Sequence, residues 1–337
     1  MENTVSSRRT VSKSVSQITI SAMMLALAVI LCVAVKYLPG FSFPNGGTVS
    51  IAMVPLVFCA LICGPFWGVF IGVAFAVIDM ALDGGAFGYH WLCILLDYVF
   101  AFGGVGLASI FRKPFFEKKV YAPIVGMLIS GLFRFVCSFF SGCIVWSQLS
   151  DFSGKNLAPD FSAGGIIYSI TYNGGYILPS IALSVFVIAL VAKPIFNLLN
   201  LNQLRILAPS NLDVNKEVVS KISFTSLEPI YIGSALVLSI VGSIPALKIY
   251  WMGYFSLVMS VALLVFSIVM IIKSYKGKEA VYPEGSWMKK FKNPKSIYYL
   301  FGLSALIILG ISLLAILSYY TYGAETYYVA EEVSSLI

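Results

Sequence analysis

Two charged residues, Asp97 and Arg134, interrupt long apolar segments of this sequence. A charge at mid-bilayer costs about 2.5–3.5 kcal/mol on insertion scales, so it usually marks a binding site or an ion pair. Asp79 lies near the end of the preceding apolar segment. Two interpretations are open for each acid: a structural pair with the arginine, or a carboxylate that balances a cationic ligand in an outward cavity. For Arg134 a structural role is favoured.

Aromatic and amide side chains are expected at the same depth as Asp97. They are Phe87, Tyr89, Trp91, Tyr98, Trp146, Tyr168, Tyr172 and Asn173. Any one aromatic residue could belong to an ordinary interfacial belt. Together, a carboxylate, an amide and several ring faces would suit a flat heteroaromatic cation. The sequence contains no G-x-S-x-G, Gly–Lys phosphate loop or H-E-x-x-H motif, so it indicates a binding site and no enzyme activity.

Three further features each have two interpretations. His90 is either a solvated helix cap or a ligand contact, and residues 44–47 (Pro-Asn-Gly-Gly) form either a simple turn or a lid over the cavity. Ala22 and Ala26, spaced i and i+4, are either ordinary membrane-helix residues or a docking face for another helix.

With one histidine in the chain, we expect no metal site and no cofactor, and the six cysteines are read as small packing residues.

The elements that must position these residues are membrane helices. Hydrophobic residues make up 59% of the 337 and charged residues only 11%, whereas a soluble globule has about a quarter charged. Spans of about 20 apolar residues predict an all-α integral membrane protein. We predict nine helices, at about 17–38, 50–64, 66–82, 91–111, 120–147, 164–192, 229–247, 252–272 and 296–320.

The charge pattern predicts domains and orientation. We expect a cytoplasmic leader at 1–16, a six-helix substrate-binding core at 17–193, a polar cytoplasmic linker at 194–227 and an appended three-helix module at 228–337. Most of the 22 Lys and Arg residues fall on one side. The positive-inside rule then places the N-terminus in the cytoplasm and the C-terminal tail outside, in a multi-pass plasma-membrane protein. Membrane topology accounts for the charge of +7, so no nucleic-acid partner is expected.

Four segments of this core occur in the order typical of one family. They are Gly46-Gly47-Thr48-Val49-Ser50-Ile51 with Met53-Val54-Pro55; His90 before Asp97-Tyr98 and Ala101-Phe102; Phe133-Arg134-Phe135 before Phe139-x-Ser141-Gly142 and Trp146; and Tyr168-Ser169-x-x-Tyr172-Asn173-Gly174. Over residues 17–193 the chain resembles the thiamine-specific S components, the substrate-binding membrane subunits of energy-coupling factor vitamin importers.

The resemblance implies ligand contacts at Asp97, Tyr98, Trp146, Tyr168 and Asn173, and it favours the lid interpretation of the Gly-Gly loop. It also implies that Ala22 and Ala26 dock on a transmembrane coupling subunit, which works with two ATPases on other chains. Two features depart from the family. Ser138 stands where the family usually has a histidine that contacts the ligand, and residues 194–337 have no counterpart in the family core.

The resemblance and the candidate site together imply capture of thiamine, or of a close cationic analogue, for uptake driven by partner subunits. Three alternatives remain open at the level of sequence: a free-standing secondary transporter, a membrane enzyme acting on a lipid-soluble substrate, and an S component for another vitamin or precursor. A secondary transporter should show inverted repeats, and none is evident. An enzyme would need a catalytic group at the membrane boundary, where Asp79, Asp83 and His90 are the candidates.

Overall fold

A computed structural model gives the fold, and it describes residues 2–36, 47–82, 90–146 and 160–209 together with scattered positions after 209. The chain divides into two compact units, Met1–Ser220 and Lys221–Ile337. The first unit contains the predicted site. In the second, residues 302–310 are helical, within the span predicted at 296–320. Most of the last three predicted helices lies outside the described residues.

Seven helices form the described part of the first unit. They are α1 (Glu2–Lys36), α2 (Met53–Cys63), α3 (Pro65–Leu82), α4 (Trp91–Phe116), α5 (Tyr121–Trp146), α6 (Ala163–Leu198) and the short α7 (Asn202–Arg205). The first six correspond in order to the six predicted for the core, so the all-α membrane architecture of this part is confirmed.

Two helix ends differ from the prediction. α1 begins at Glu2, so the segment predicted as a leader at 1–16 continues as helix, and α6 runs to Leu198, past the predicted linker start at 194. Polar composition marks where a chain leaves hydrocarbon, but backbone hydrogen bonding carries a helix on into water. Pro194 lies inside α6 without ending it.

The structure also corrects the status of α2. This helix has 11 residues, all of them buried, and a helix of that length rises only about 16 Å, short of the roughly 30 Å hydrocarbon core. Five other helices are long and apolar enough to cross a membrane: α1 from Lys13, α3, α4, α5 and α6. The apolar run at 50–64 therefore marks a core helix enclosed by its neighbours, since a helix that is apolar all round is a buried one.

A glycine turn and an arginine fix the end of α2. Gly64 adopts φ +109°, and Pro65 begins α3 directly after it, which confirms the predicted break. The Arg112 guanidinium of α4 donates to the Leu61 and Ile62 carbonyls at 3.1 and 2.8 Å. Those carbonyls lie in the last turn of α2, where intrahelical partners run out. Arg112 thus stabilises the α2–α3 corner.

α4 and α5 depart from regular α-helix near the predicted site. Residues Ile94–Phe100 of α4 form a π-helix, Gly104–Phe111 a 3-10 helix, and α5 ends in a π-helical segment at Gly142–Trp146. Such segments rotate the side chains beyond them and occur often at functional sites. Asp97, Tyr98 and Trp146 lie in the two π segments.

Candidate ligand-binding site

An open cavity of about 620 Å³, a value that includes its mouth, lies between α3, α4, α5 and α6. The structure brings five of the predicted site residues together at its wall, and these are Asp97, Tyr98, Trp146, Tyr168 and Asn173.

Three donors hold one oxygen of the Asp97 carboxylate. Ser141 Oγ donates to Oδ2 at 2.5 Å, Trp146 Nε1 at 3.2 Å and Cys93 Sγ at 3.2 Å. Cys93 comes from one turn earlier in α4, and the other two come from the end of α5. Asp97 is half-buried and lines the cavity. The contacts orient the carboxylate but do not neutralise it, because none of the three donors carries a positive charge.

Tyrosine rings from successive turns of α6 form the opposite wall. Tyr168 and Tyr172 stack with ring centroids 6.0 Å apart and planes within 12°, while Tyr172 and Tyr176 meet edge to face at 5.7 Å. The Gly47 N–H donates to the Tyr172 hydroxyl at 3.2 Å. A Cβ at Gly47 would lie 2.7 Å from the Tyr176 ring, so only glycine lets the chain approach this wall so closely.

The position of Gly47 bears on the lid interpretation of residues 44–47. Gly47 lines the cavity, while 44–46 lie outside the described residues. The lid therefore stays a prediction, supported at its last residue only.

Asn173 is buried, and its side-chain amide forms hydrogen bonds with other groups of the protein. Its Nδ2 donates to the Ser138 carbonyl at 3.0 Å and to Ser169, and its Oδ1 accepts from the Tyr176 hydroxyl at 3.1 Å. Ser138 is 1% exposed and does not line the cavity among the described residues. Asn173 thus lines the cavity and connects α6 with α5 through the Ser138 carbonyl, and contact of either residue with a ligand stays a prediction.

His90 lies at the start of α4 and acts as a helix cap. Its Nδ1 accepts from the Leu92 N–H at 3.2 Å, and its ring lies against Trp91 with centroids 5.5 Å apart. Among the described residues His90 does not line the cavity. Of its two interpretations, the geometry favours the cap.

The Asp–Arg pair considered from sequence is absent among the described residues. Asp79 instead pairs with Lys36 of α1 at 2.9 Å and accepts from Cys32 Sγ at 3.0 Å. Arg134 lies over the Phe102 ring, 4.4 Å from its centroid. Lys36 is the last residue of α1, and its long side chain reaches Asp79 because lysine tolerates partial burial of its stem.

Sequence reasoning missed three contributors to the site. Cys93 was read as packing, yet it donates to Asp97 from position i−4, and that spacing on one helix face was the available signal. Ser141 was noted only as part of the Phe139-x-Ser141-Gly142 motif, although its hydroxyl donates to Asp97. Gly142 lets α5 approach α6, because a Cβ there would collide with Ser169 and lie 3.0 Å from Asn173 Nδ2.

Ala22 and Ala26 lie on the outer face of α1. Both are exposed, next to Met23 at 67% and Ile18 at 56% exposure, while Ser21 on the opposite face is buried against α2. The structure leaves these alanines accessible to a lipid or to a partner helix.

At the entrance to α6, Asp160 accepts from the Ser162 N–H at 2.9 Å, and its own N–H donates to the Cys143 carbonyl at 2.9 Å. The hydrogen bonds from Ser162 hold the pKa of Asp160 below its usual range. Asp160 is therefore a second acid near the site, but among the described residues it does not line the cavity.

Apolar helices that surround a cavity with one held carboxylate and several aromatic faces are typical of multi-pass membrane transport proteins. The chain belongs to the thiamine transporter protein family (Thia_YuaJ), whose model matches residues 18–200. The matched region contains the cavity and ends near the start of α7.

Individual relatives cover the same region. The chain is 30% identical to the thiamine transporter ThiT of Bacillus subtilis (strain 168) over 183 residues, which are 53% of this chain and 92% of that protein. Among solved structures it is similar to ThiT from Listeria monocytogenes, with 19% identity, a TM-score of 0.43, and coverage of 54% of this chain and 96% of that one.

Proposed function

We propose that this chain is the thiamine-binding S component of an energy-coupling factor importer. The observation that carries the proposal is the Asp97 carboxylate, held at the cavity wall by Ser141 and Trp146 without a cationic partner among the described residues. Family membership identifies the cation that such a site would take: thiamine has a permanently charged thiazolium ring and a flat aminopyrimidine.

Asp97 supplies the counter-charge for the thiazolium. In a cavity from which most water is displaced, an ion pair is stronger than in bulk water. The Trp146 ring and the α6 tyrosines present π faces to the ligand, and such faces attract a flat cation. Trp146 has two roles here, because its Nε1 also orients the carboxylate at 3.2 Å.

Asn173 lines the cavity, and Ser138 lies behind its wall. The Asn173 amide holds the Tyr176 hydroxyl at 3.1 Å and the Ser138 carbonyl at 3.0 Å, so it positions the tyrosine face instead of binding the ligand in this conformation. Ser138 stands where the family's histidine is expected and contributes no ring face. Selectivity for thiamine then rests on Asp97, Trp146 and the tyrosines.

Uptake requires partner chains. The sequence has no nucleotide-binding motif, so the ATPases and the coupling subunit lie on other polypeptides, and the exposed Ala22–Ala26 face of α1 is the proposed docking surface. Small residues let a partner helix approach closely. Ala26→Trp should abolish co-purification with the coupling subunit and leave thiamine binding unchanged, with Met23→Ala as the control on the same exposed helix. Co-purification of the Ala26→Trp protein would contradict this docking surface.

The binding function is tested by titrating the purified full-length protein with thiamine and following tryptophan fluorescence. Micromolar thiamine should quench the emission and raise the melting temperature, because Trp146 lies at the cavity wall. Absence of both effects would contradict thiamine as the ligand. Binding of another vitamin in its place would favour the alternative S component. Thiamine uptake into vesicles by this chain without ATPases would favour the secondary transporter.

A further inference from the structure

Arg134 lies within the membrane-spanning part of α5 without an anionic partner among the described residues. Its Nε is buried and has no hydrogen-bond acceptor, and its Nη1 has only Met53 Sδ, at 3.8 Å. Thioether sulfur is a weak acceptor. The rings of Phe102 and Tyr176, 4.4 and 5.8 Å from Arg134 Cζ, attract the charge but offer no acceptor in the plane of its N–H groups.

A second, smaller chamber lies beside the ligand cavity and shares Arg134 with it. Its empty volume is about 340 Å³, and its polar wall comprises Arg134, Lys36, Asp79, Thr48 and Ser50. Lys36 and Asp79 form an ion pair at 2.9 Å, so their charges offset each other. The described ionisable side chains around the chamber therefore leave one positive charge, that of Arg134.

Several side chains with hydrogen-bond donors line this chamber. Ser50 Oγ accepts from the Ala52 N–H at 3.1 Å, which leaves its own hydrogen available to donate. Thr48 adds a second hydroxyl at the wall, and Arg134 adds its unsatisfied Nε–H. A buried charge without a partner is strongly unfavourable, and hydroxyl and guanidinium donors around a small space suit a compact anion.

We propose that this chamber binds a small inorganic anion of the halide class against Arg134, with Thr48 and Ser50 as further donors. The anion neutralises the guanidinium inside the membrane and leaves Asp97 free to pair with the cation of the ligand cavity. The chamber shares Arg134, Asp79 and Phe102 with the ligand cavity, and the halide site exists in the protein without vitamin.

The experiment uses the purified full-length chain without thiamine, in sodium chloride or bromide and in sodium gluconate at equal ionic strength. The melting temperature, followed by tryptophan fluorescence, should rise saturably with halide and not with gluconate, a much bulkier organic anion. Equal melting temperatures in all three salts would overturn the proposal, whatever the outcome for thiamine.

Variants distinguish halide binding at this site from a general effect of salt on the melting temperature. Arg134→Met should lose the halide dependence, while Lys119→Gln, which removes a cation whose side chain is 51% exposed, should keep it. Arg134→Lys should retain it with weaker affinity. Thr48→Val should weaken halide binding by at least about threefold, the loss of one hydrogen bond, and it tests the site even if Arg134→Met fails to fold. A halide effect that persists in Arg134→Met, or is unchanged in Thr48→Val, would contradict the assignment.

Discussion

Asp97 and Asp79 both lie in apolar helices, but they contact different kinds of partner. Asp79 pairs with the ammonium group of Lys36, whereas the donors to Asp97 among the described residues, which include Ser141, Trp146 and Cys93, are all neutral. An acid that already has a cation gains little from a charged ligand, whereas an acid held by neutral groups gains a full ion pair. This difference is why we propose Asp97, and not Asp79, as the cation-binding residue.

Trp146 should contribute to binding in two separable ways. Trp146→Phe keeps a ring face but loses the Nε1 donor to Asp97, and Trp146→Ala loses both. We expect thiamine affinity to fall in the order wild type, Phe, Ala, with the Ala variant weaker by well over tenfold, more than about 1.4 kcal/mol. Isothermal titration calorimetry measures this order. Equal affinity of the Phe and Ala variants would show that the ring face contributes nothing.

Part of the site could be predicted at this scale, and part could not. Asp97 was recognisable because a single charge in a long apolar run is costly. Trp146 and Tyr168 could be predicted from motif order. The internal use of the Asn173 amide could not be foreseen, because a sequence does not show that Tyr176 and the Ser138 carbonyl lie within hydrogen-bond distance of it.

At the scale of elements, two π-helical segments shape the site. One in α4 carries Asp97, and the other, Gly142–Trp146, ends α5. A π segment widens the helix and shifts the register of the residues after it. In α5 it coincides with the close contact of Gly142 with α6. The positions of the carboxylate and the indole therefore depend on irregular helix geometry that periodicity does not reveal.

Gly142→Ala should disturb both folding and binding. The new Cβ would collide with Ser169 and press on Asn173, so we expect a lower melting temperature and weaker thiamine binding. Gly164→Ala is the matched control, because its nearest contact would be 3.6 Å from Ser162 Oγ, an ordinary van der Waals distance. Thermal denaturation compares the two. A Gly142→Ala protein as stable as Gly164→Ala would contradict the close approach of α5 and α6.

At the scale of the whole molecule, the family match and the first compact unit coincide. The match covers residues 18–200, and the unit ends at Ser220. The described residues that line the cavity all belong to that unit. The orientation of the termini and the three-helix module at 228–337 stay predictions.

A chain truncated after Ser220 should bind thiamine with an affinity within about threefold of the full-length protein, a difference below about 1 kcal/mol. The described groups that form the cavity are all retained in it. Fluorescence titration of the two purified proteins provides the comparison, and circular dichroism reports whether the truncated chain is folded. Loss of binding in a folded truncated protein would assign part of the site to the second unit.

The six core helices were predictable from apolar length, since charges are rare enough to separate the spans. That α2 is too short to cross the membrane was not predictable, because hydrophobicity alone does not distinguish a short buried helix of 11 residues from a membrane span. The break at Gly64 and Pro65 was predictable from backbone chemistry.

The central claim is that Asp97 holds a positively charged ligand. A comparison of two ligands on three proteins tests it most directly. Thiamine and its uncharged thiophene isostere are titrated into the wild-type protein, Asp97→Asn and the control Asp160→Asn. The wild type and Asp160→Asn should prefer the cation by at least about tenfold, the scale of 1.4 kcal/mol, and Asp97→Asn should lose that preference. A wild-type protein that binds both ligands equally, or an Asp97→Asn protein that keeps the preference, would contradict the account.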